Sequence, residues 1–272
     1  MATFTDTYKK YLEAASAVNP DLGFEIETVR RLEPVLAFLY RDWFKVDMTG
    51  LEFLPASGPA LIVGNHGGAM PWIELMLLYA LMSSPAHPRR LSVLADLDWI
   101  EDERLYSLLR ELGFVSFSSA HAKKLFAAGE IVVVFPEGIS GAAKPFSERY
   151  RVKEFDWTKL LPAVEERVPV FPLASLGCDE SVPILSNVEH LARFLGLPAY
   201  PVTPFFPWLP FPASVIPLPV KWMMRLLKSH PYEAAKSRHQ SEETAKYLAR
   251  FIEGGIQAEL NRLLRTRIKP LL

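Results

Sequence analysis

A chain of 272 residues, half of them hydrophobic, can bury a large core in one domain or two small ones, and with no linker-like stretch a single domain over 1–272 is expected. A formal charge of -1 and a pI near 6.6 exclude a general electrostatic attraction to nucleic acid or anionic lipid. Cys178 is the only cysteine, which excludes an internal disulfide, and no uncharged, proline-free run of roughly 18–20 apolar residues is present to span a membrane.

The start, Met1-Ala2-Thr3-Phe4-Thr5-Asp6, has neither the basic region nor the apolar stretch of a secretory signal, so a cytoplasmic location is expected. Val29, Leu32, Val35, Leu36, Leu39, Tyr40, Trp43 and Phe44 share one stripe of an amphipathic helix over about 27–45. It either packs on the domain or lies in a membrane interface with Trp43 and Phe44 at the headgroups. The turn cluster Pro55-Ala56-Ser57-Gly58-Pro59 leads into a buried-type strand at 60–64, and Asn65-His66 follows on a loop made pliable by Gly67 and Gly68. Pro71 suits the first turn of the next helix, about 71–82, with Ile73, Met76, Leu77 and Leu78 facing the core.

The alternation continues with a strand at 91–95, a helix over about 100–111, a short strand at 113–117, a helix over about 119–128 and an apolar strand at 131–135. That last strand delivers Phe135-Pro136-Glu137-Gly138, and open α/β sheets place their ligands at such carboxyl ends. A further strand at 168–174 holds Pro169 and Pro172, which suggest a sheet edge or a strand start. Residues 198–219 are proline-rich, with Phe205, Phe206, Trp208, Leu209 and Phe211 among them, which excludes a continuous helix and a central strand. This loop either tucks over the sheet or dips into lipid. A charge-laced helix over 241–265 closes the chain.

Chemistry concentrates at the two strand ends. A neutral histidine is a natural base for a hydroxyl, and a thioester is a suitable electrophile because its thiolate leaves without strong acid assistance. Glycine-rich turns near Gly67, Gly68 and Gly138 are sources of N–H donors for an oxyanion, and Glu137 can hold acceptor hydroxyls. The plainer reading of His66 is a structural histidine satisfied by a backbone carbonyl. His87, His121, His190, His230 and His239 lack metal-type spacing, and Gly138-Ile139-Ser140-Gly141 falls one residue short of a serine-hydrolase elbow.

The order Gly64-Asn65-His66, Phe135-Pro136-Glu137-Gly138 and Val168-Pro169-Val170 resembles the glycerolipid acyltransferase family, which holds the lysophosphatidate and glycerol-3-phosphate acyltransferases. The flanks Gly50-Leu51-Glu52-Phe53-Leu54-Pro55 and Lys144-Pro145-Phe146-Ser147-Glu148-Arg149-Tyr150 are similar to a bacterial branch related to transmembrane-protein-68 type acyltransferases. The likeness spans roughly 30–230. It implies a mixed, mostly parallel α/β sheet flanked by helices, divided into N-terminal helices at 1–48, a catalytic core at 49–230 and a C-terminal helix at 231–272. It further implies a donor that is acyl-CoA or acyl carrier protein, no metal or bound cofactor, and an acceptor site lined by Phe135, Pro136, Glu137 and Gly138, with Asn65, Gly67 and Gly68 beside it. A peripheral position on the inner face of the cell membrane follows as an expectation.

Departures from the family pattern sharpen this reading. A His, four residues, Asp spacing would put the acid at position 71, where Pro71 stands; Glu74 is the first downstream carboxylate, and it either turns back toward His66 or faces solvent. Asp96 and Asp98 are weaker substitutes. Ser119 stands where the second motif carries a phosphate-binding arginine, and Ile139-Ser140 replaces the usual Thr-Arg of the third. Without bidentate arginines a neutral lipid alcohol becomes the expected acceptor, unless Lys144 and Arg149 compensate. The competing reading is a non-catalytic lipid- or acyl-carrier-binding protein on a degenerate acyltransferase scaffold.

Overall fold

The computed structural model describes residues 4–16, 23–84, 88–209, 212–232 and 237–267. The chain start Met1-Ala2-Thr3, His87 and Phe211 lie outside the described residues. In chain order the elements are α1 (Phe4–Ser16), α2 (Ile26–Phe38), β1 (Asp47–Thr49), β2 (Ala60–Gly64), α3 (Trp72–Met82), β3 (Leu91–Ala95), α4 (Glu103–Glu111), β4 (Phe114–Ser116), α5 (Ser119–Ala127) and β5 (Ile131–Val134). The second half holds α6 (Gly138–Ala142), α7 (Leu161–Glu165), β6 (Val170–Leu176), α8 (Cys178–Ser181), β7 (Ser186–Asn187), α9 (Glu189–Phe194), β8 (Pro201–Val202), β9 (Met223–Leu226) and α10 (Arg238–Thr266).

Seven strands form one mixed, mostly parallel sheet in the order β1-β9-β6-β2-β5-β3-β4, in which only the β6–β9 pair is antiparallel. The apolar runs arise because both faces are covered. Ile62, Ile131, Val133, Phe171 and Leu173 point into one core with α2 and α3, while Leu61, Val63, Val132, Val134 and Val170 point into the other with α5, α7 and α10. Strands buried on both faces read as continuous hydrophobic segments rather than alternating ones. Because β6, β2, β5, β3 and β4 run parallel, their carboxyl ends share one edge of the sheet.

Of the two readings of the strand with Pro169 and Pro172, the sheet edge is overturned, since the strand is internal, between β2 and β9, and the strand start holds for Pro169, which precedes β6. Pro172 stands at the end of the β9 ladder: its carbonyl accepts the Leu227 N–H at 2.8 Å, and with no N–H to return, the paired residues begin at Leu173. The stripe over 27–45 is a continuous helical run from Ile26 to Trp43 that packs on the domain, with Pro34 inside α2 and its last turn, Leu39–Trp43, wound as a π turn. Val35 faces outward, half exposed, and Phe44 is fully buried with its ring stacked on Trp222 at 4.4 Å. Trp43 Nε1 donates to the Pro217 carbonyl, so Trp43 and Phe44 anchor this segment to the protein and not to lipid headgroups. Finally, a strand-to-helix turn does follow β5, but Ser140 Oγ donates to the Glu137 carbonyl within it.

Candidate active site

Parallel pairing of β2 with β5 sets Val63 against Val134, so the residues that follow each strand emerge side by side. Here lies the reason why groups 71 positions apart meet. Gly64 permits it: a Cβ there would stand 2.7 Å from the Phe135 ring, which lies over the glycine and stacks on the His66 imidazole with centroids 4.9 Å apart. Beyond His66 the loop reverses through Gly68 and Ala69, both at positive φ, which brings the first turn of α3 back over the histidine.

Glu74 sits in that first turn, 4% exposed, with Oε1 3.1 Å from His66 Nε2. The solvent-facing alternative for Glu74 is therefore wrong. Asp96 instead pairs with Lys159 at 2.6 Å, and Asp98 is exposed. Burial acts to lower the imidazole pKa, but the charge and hydrogen bond of Glu74, with Glu137 behind, outweigh it and hold the imidazole above its ordinary value. The other ring nitrogen, Nδ1, is buried and makes no hydrogen bond of full geometry among the described residues, while the Gly138 backbone adds to the upward pull on the ring. With Nε2–H donated to Glu74, the tautomer leaves Nδ1 as the basic atom.

Several residues expected to touch substrate have their side chains committed elsewhere. Asn65 is buried and bridges to β6, its Nδ2 donating to the Ser175 carbonyl and its Oδ1 accepting the Ser175 N–H at 2.7 Å. Both carboxylate oxygens of Glu137 hold backbone groups: Oε1 accepts the His66 N–H and Oε2 the Lys153 N–H, each at 2.8 Å. Lys144 is buried too, with Nζ 2.8 Å from the His66 carbonyl oxygen and 3.3 Å from Asp179 Oδ2. Arg149 donates to the Phe146 carbonyl and lies over the Phe146 and Tyr150 rings. The Pro136 carbonyl accepts the Asp156 N–H, and the Gly138 N–H is taken by the Phe135 carbonyl. Gly67 and Gly68 are buried, and no hydrogen bond of their N–H groups is found among the described residues.

His66, Glu74, Phe135 and Gly138 line a cavity of about 220 Å³ that extends past Leu94, Leu97, Ile100, Leu109 and Phe114 and is roofed by Leu197, Pro198 and Pro201. Its walls are overwhelmingly apolar. Among the described lining residues Lys159 is the only lysine or arginine, and its ammonium is held by Asp96.

The Acyltransferase family model matches residues 45–176, which include β2, β5 and both strand-end motifs. Residues 45–176 belong to the acyltransferase family. An uncharacterized protein of Mycobacterium tuberculosis is 39% identical over 194 residues, covering 70% of this chain and 53% of its own length. One from Mycobacterium leprae is 38% identical over 193 residues, covering 70% and 52%. The chain thus spans about half the length of the curated relatives it matches. Among solved structures, the 1-acyl-sn-glycerophosphate (LPA) acyltransferase PlsC from Thermotoga maritima aligns over 98% of this chain and 83% of its own, with a TM-score of 0.56 and 16% identity, which is a likeness of fold.

Asp179 escaped the sequence reading. Its signal, a carboxylate two residues past the Gly177 that follows β6, lies at the far end of the strand from the Val168-Pro169-Val170 motif. The cavity wall from α4 escaped as well, because Leu105 and Leu109 look like ordinary core positions in one dimension.

Proposed function

We propose that this chain transfers a fatty acyl group from a thioester, acyl-CoA or acyl carrier protein, to the hydroxyl of a lipid alcohol. The observation that carries the reading is the His66–Glu74 hydrogen bond of 3.1 Å at one wall of an otherwise apolar cavity. His66 Nδ1 takes the acceptor proton as its oxygen attacks the thioester carbonyl. Glu74 holds the ring and stabilises the imidazolium that forms, as the acid of a triad does. The N–H groups of Gly67 and Gly68 are the candidate donors to the oxyanion. The collapsing intermediate expels the thiolate, and the imidazolium returns the proton to it.

The cavity favours an uncharged acceptor. Phosphate recognition relies on free cationic donors, and the lining lysine is already paired with Asp96. Membrane delivery belongs to the same proposal: no helix among the described residues is long and apolar enough to cross a membrane, yet Phe194 and Trp208 are 85% and 83% exposed beside the segment that roofs the cavity. Purified wild type, His66→Ala and Glu74→Gln incubated with palmitoyl-CoA, an acyl carrier protein thioester and a total lipid extract test the reading. An acylated lipid made by the wild type and reduced about 10²–10⁴-fold in His66→Ala is expected. Folded wild type that consumes neither donor supports the binding-protein alternative.

A further inference from the structure

We propose that Lys144 and Asp179 are positioning residues for His66: the ammonium grips the histidine's own carbonyl, and Asp179 grips the ammonium and closes the space behind Gly67. The inference deepens the acyl-transfer reading and rests on His66 being the base.

A lysine placed to bind substrate would show its ammonium to the cavity. Lys144 is not among the residues that line it, and its side chain is 2% exposed. A cation at that depth persists only when paired and hydrogen-bonded. Its two oxygen partners are the His66 carbonyl and Asp179 Oδ2. Asp179, on α8, also accepts the Tyr150 N–H at 3.1 Å. Its Oδ1 stands 2.1 Å from where a Cβ on residue 67 would be built, so only glycine lets the loop lie this close.

Glu137 completes the arrangement from the other side by accepting the His66 N–H. Both backbone polar groups of the histidine are therefore held by buried charged side chains, from positions 137 and 144, and α8 backs the second of them. A backbone pinned at both ends leaves the imidazole only its side-chain torsions, which the Glu74 bond and the Phe135 stack restrict. Preorganisation of this kind matters because a displacement of about 1 Å at a reacting group can cost about 10²-fold in rate.

The pair also balances charge. The charged groups that act on the His66 ring are Glu74 from α3 and Glu137 from the turn after β5, while Lys144, after α6, and Asp179, from α8, pair with each other at the His66 carbonyl. Glu180, next to Asp179, is occupied by Arg267 and the Tyr150 hydroxyl. An ammonium beside the His66 peptide opposes imidazolium formation, and Asp179 offsets that opposition.

The test is the titration of His66 in the full-length, histidine-labelled chain by nitrogen-edited NMR, with the signal assigned by its loss in His66→Gln. Asp179→Asn leaves the ammonium uncompensated and is expected to lower the His66 midpoint; Lys144→Met is expected to raise it. Each should cut turnover of palmitoyl-CoA on lipid-extract vesicles by at least about tenfold while KM changes less than about threefold. The charge-free variant Lys144→Met/Asp179→Asn should regain thermal stability and a near-native midpoint, yet stay slow because the carbonyl is unheld. Unmoved midpoints in both single variants, shifts of the same sign, or a double variant that regains full rate would overturn the proposal. Wild type that turns over neither palmitoyl-CoA nor the acyl carrier protein thioester would defeat the acyl-transfer reading instead, and the opposite-signed shifts would still decide the positioning role.

Discussion

Glu74 touches His66 through one hydrogen bond, and its charge sets where the imidazole titrates. Because the folded imidazole holds its proton above the ordinary histidine value, the base form appears only above that raised midpoint, and the rate of wild type should climb with pH through it. Glu74→Gln removes the anion. The acid limb should move to lower pH while the plateau rate falls about 10–100-fold, and a pH–rate profile reads both; a limb that stays in place would separate Glu74 from the base. Gly67→Ala pushes a Cβ into Asp179 and should cost about 1–3 kcal/mol of stability, seen as a drop in Tm. Sequence alone identified His66 and named Glu74 as a candidate, because a histidine at a strand end and the next carboxylate along the chain are visible in one dimension. It did not reveal that Asn65, Glu137 and Lys144 face inward, since the direction of a strand-end side chain depends on what the neighbouring strand brings beside it.

The segment from α2 through the π turn to β1 works as an anchor. Phe44 is sealed between Trp222 and Trp72, and Phe44→Ala should cost about 3–5 kcal/mol in chemical denaturation without touching the cavity lining. The apolar residues of 185–209 behave in the opposite way. Phe194 and Trp208 are exposed, so Phe194→Glu/Trp208→Glu should leave Tm unchanged and weaken binding to phosphatidylcholine vesicles in a flotation assay. Unchanged flotation would remove this surface from the membrane proposal. The sequence reading expected the proline-rich stretch either to tuck over the sheet or to reach lipid, and the structure divides it: Pro198 and Pro201 roof the cavity while Trp208 points outward. One stretch both lines the cavity and exposes Trp208 because its prolines break it into short pieces that turn independently.

Across the molecule, the buried groups make stability depend on pH in a stated direction. Burial pushes the carboxyls of Glu130 and Glu137 up, against the pull of nearby Arg90 and Lys144, and the His66 imidazole is held up by Glu74. A group whose folded pKa exceeds its unfolded value stabilises the fold below the unfolded pKa and loses that contribution as pH rises through the folded pKa. All three shifts have this sign, so Tm should fall as pH rises above about 6.5, the ordinary imidazole value, and through the raised His66 midpoint. A Tm that rises across that window would contradict the assignment. The protonation state needed for a general base is then the one the fold holds less firmly.

The α/β class, the alternation of strands and helices over about 60–135, and the two strand-end motifs were determined by the sequence itself, whereas the sheet strands β1 and β9 were not. Local pattern carries them: apolar runs mark strands buried on both faces, and Gly, Pro and Asn mark the turns between. The tertiary structure alone decided that β5 lies between β2 and β3, that β6 is internal despite its prolines, and that Asp179, 113 residues from His66, stands behind it. Those facts follow from strand order and loop reversal. A residue's neighbours in a parallel sheet are set by which strands pair, and pairing is a property of the whole packed core that no window of sequence contains.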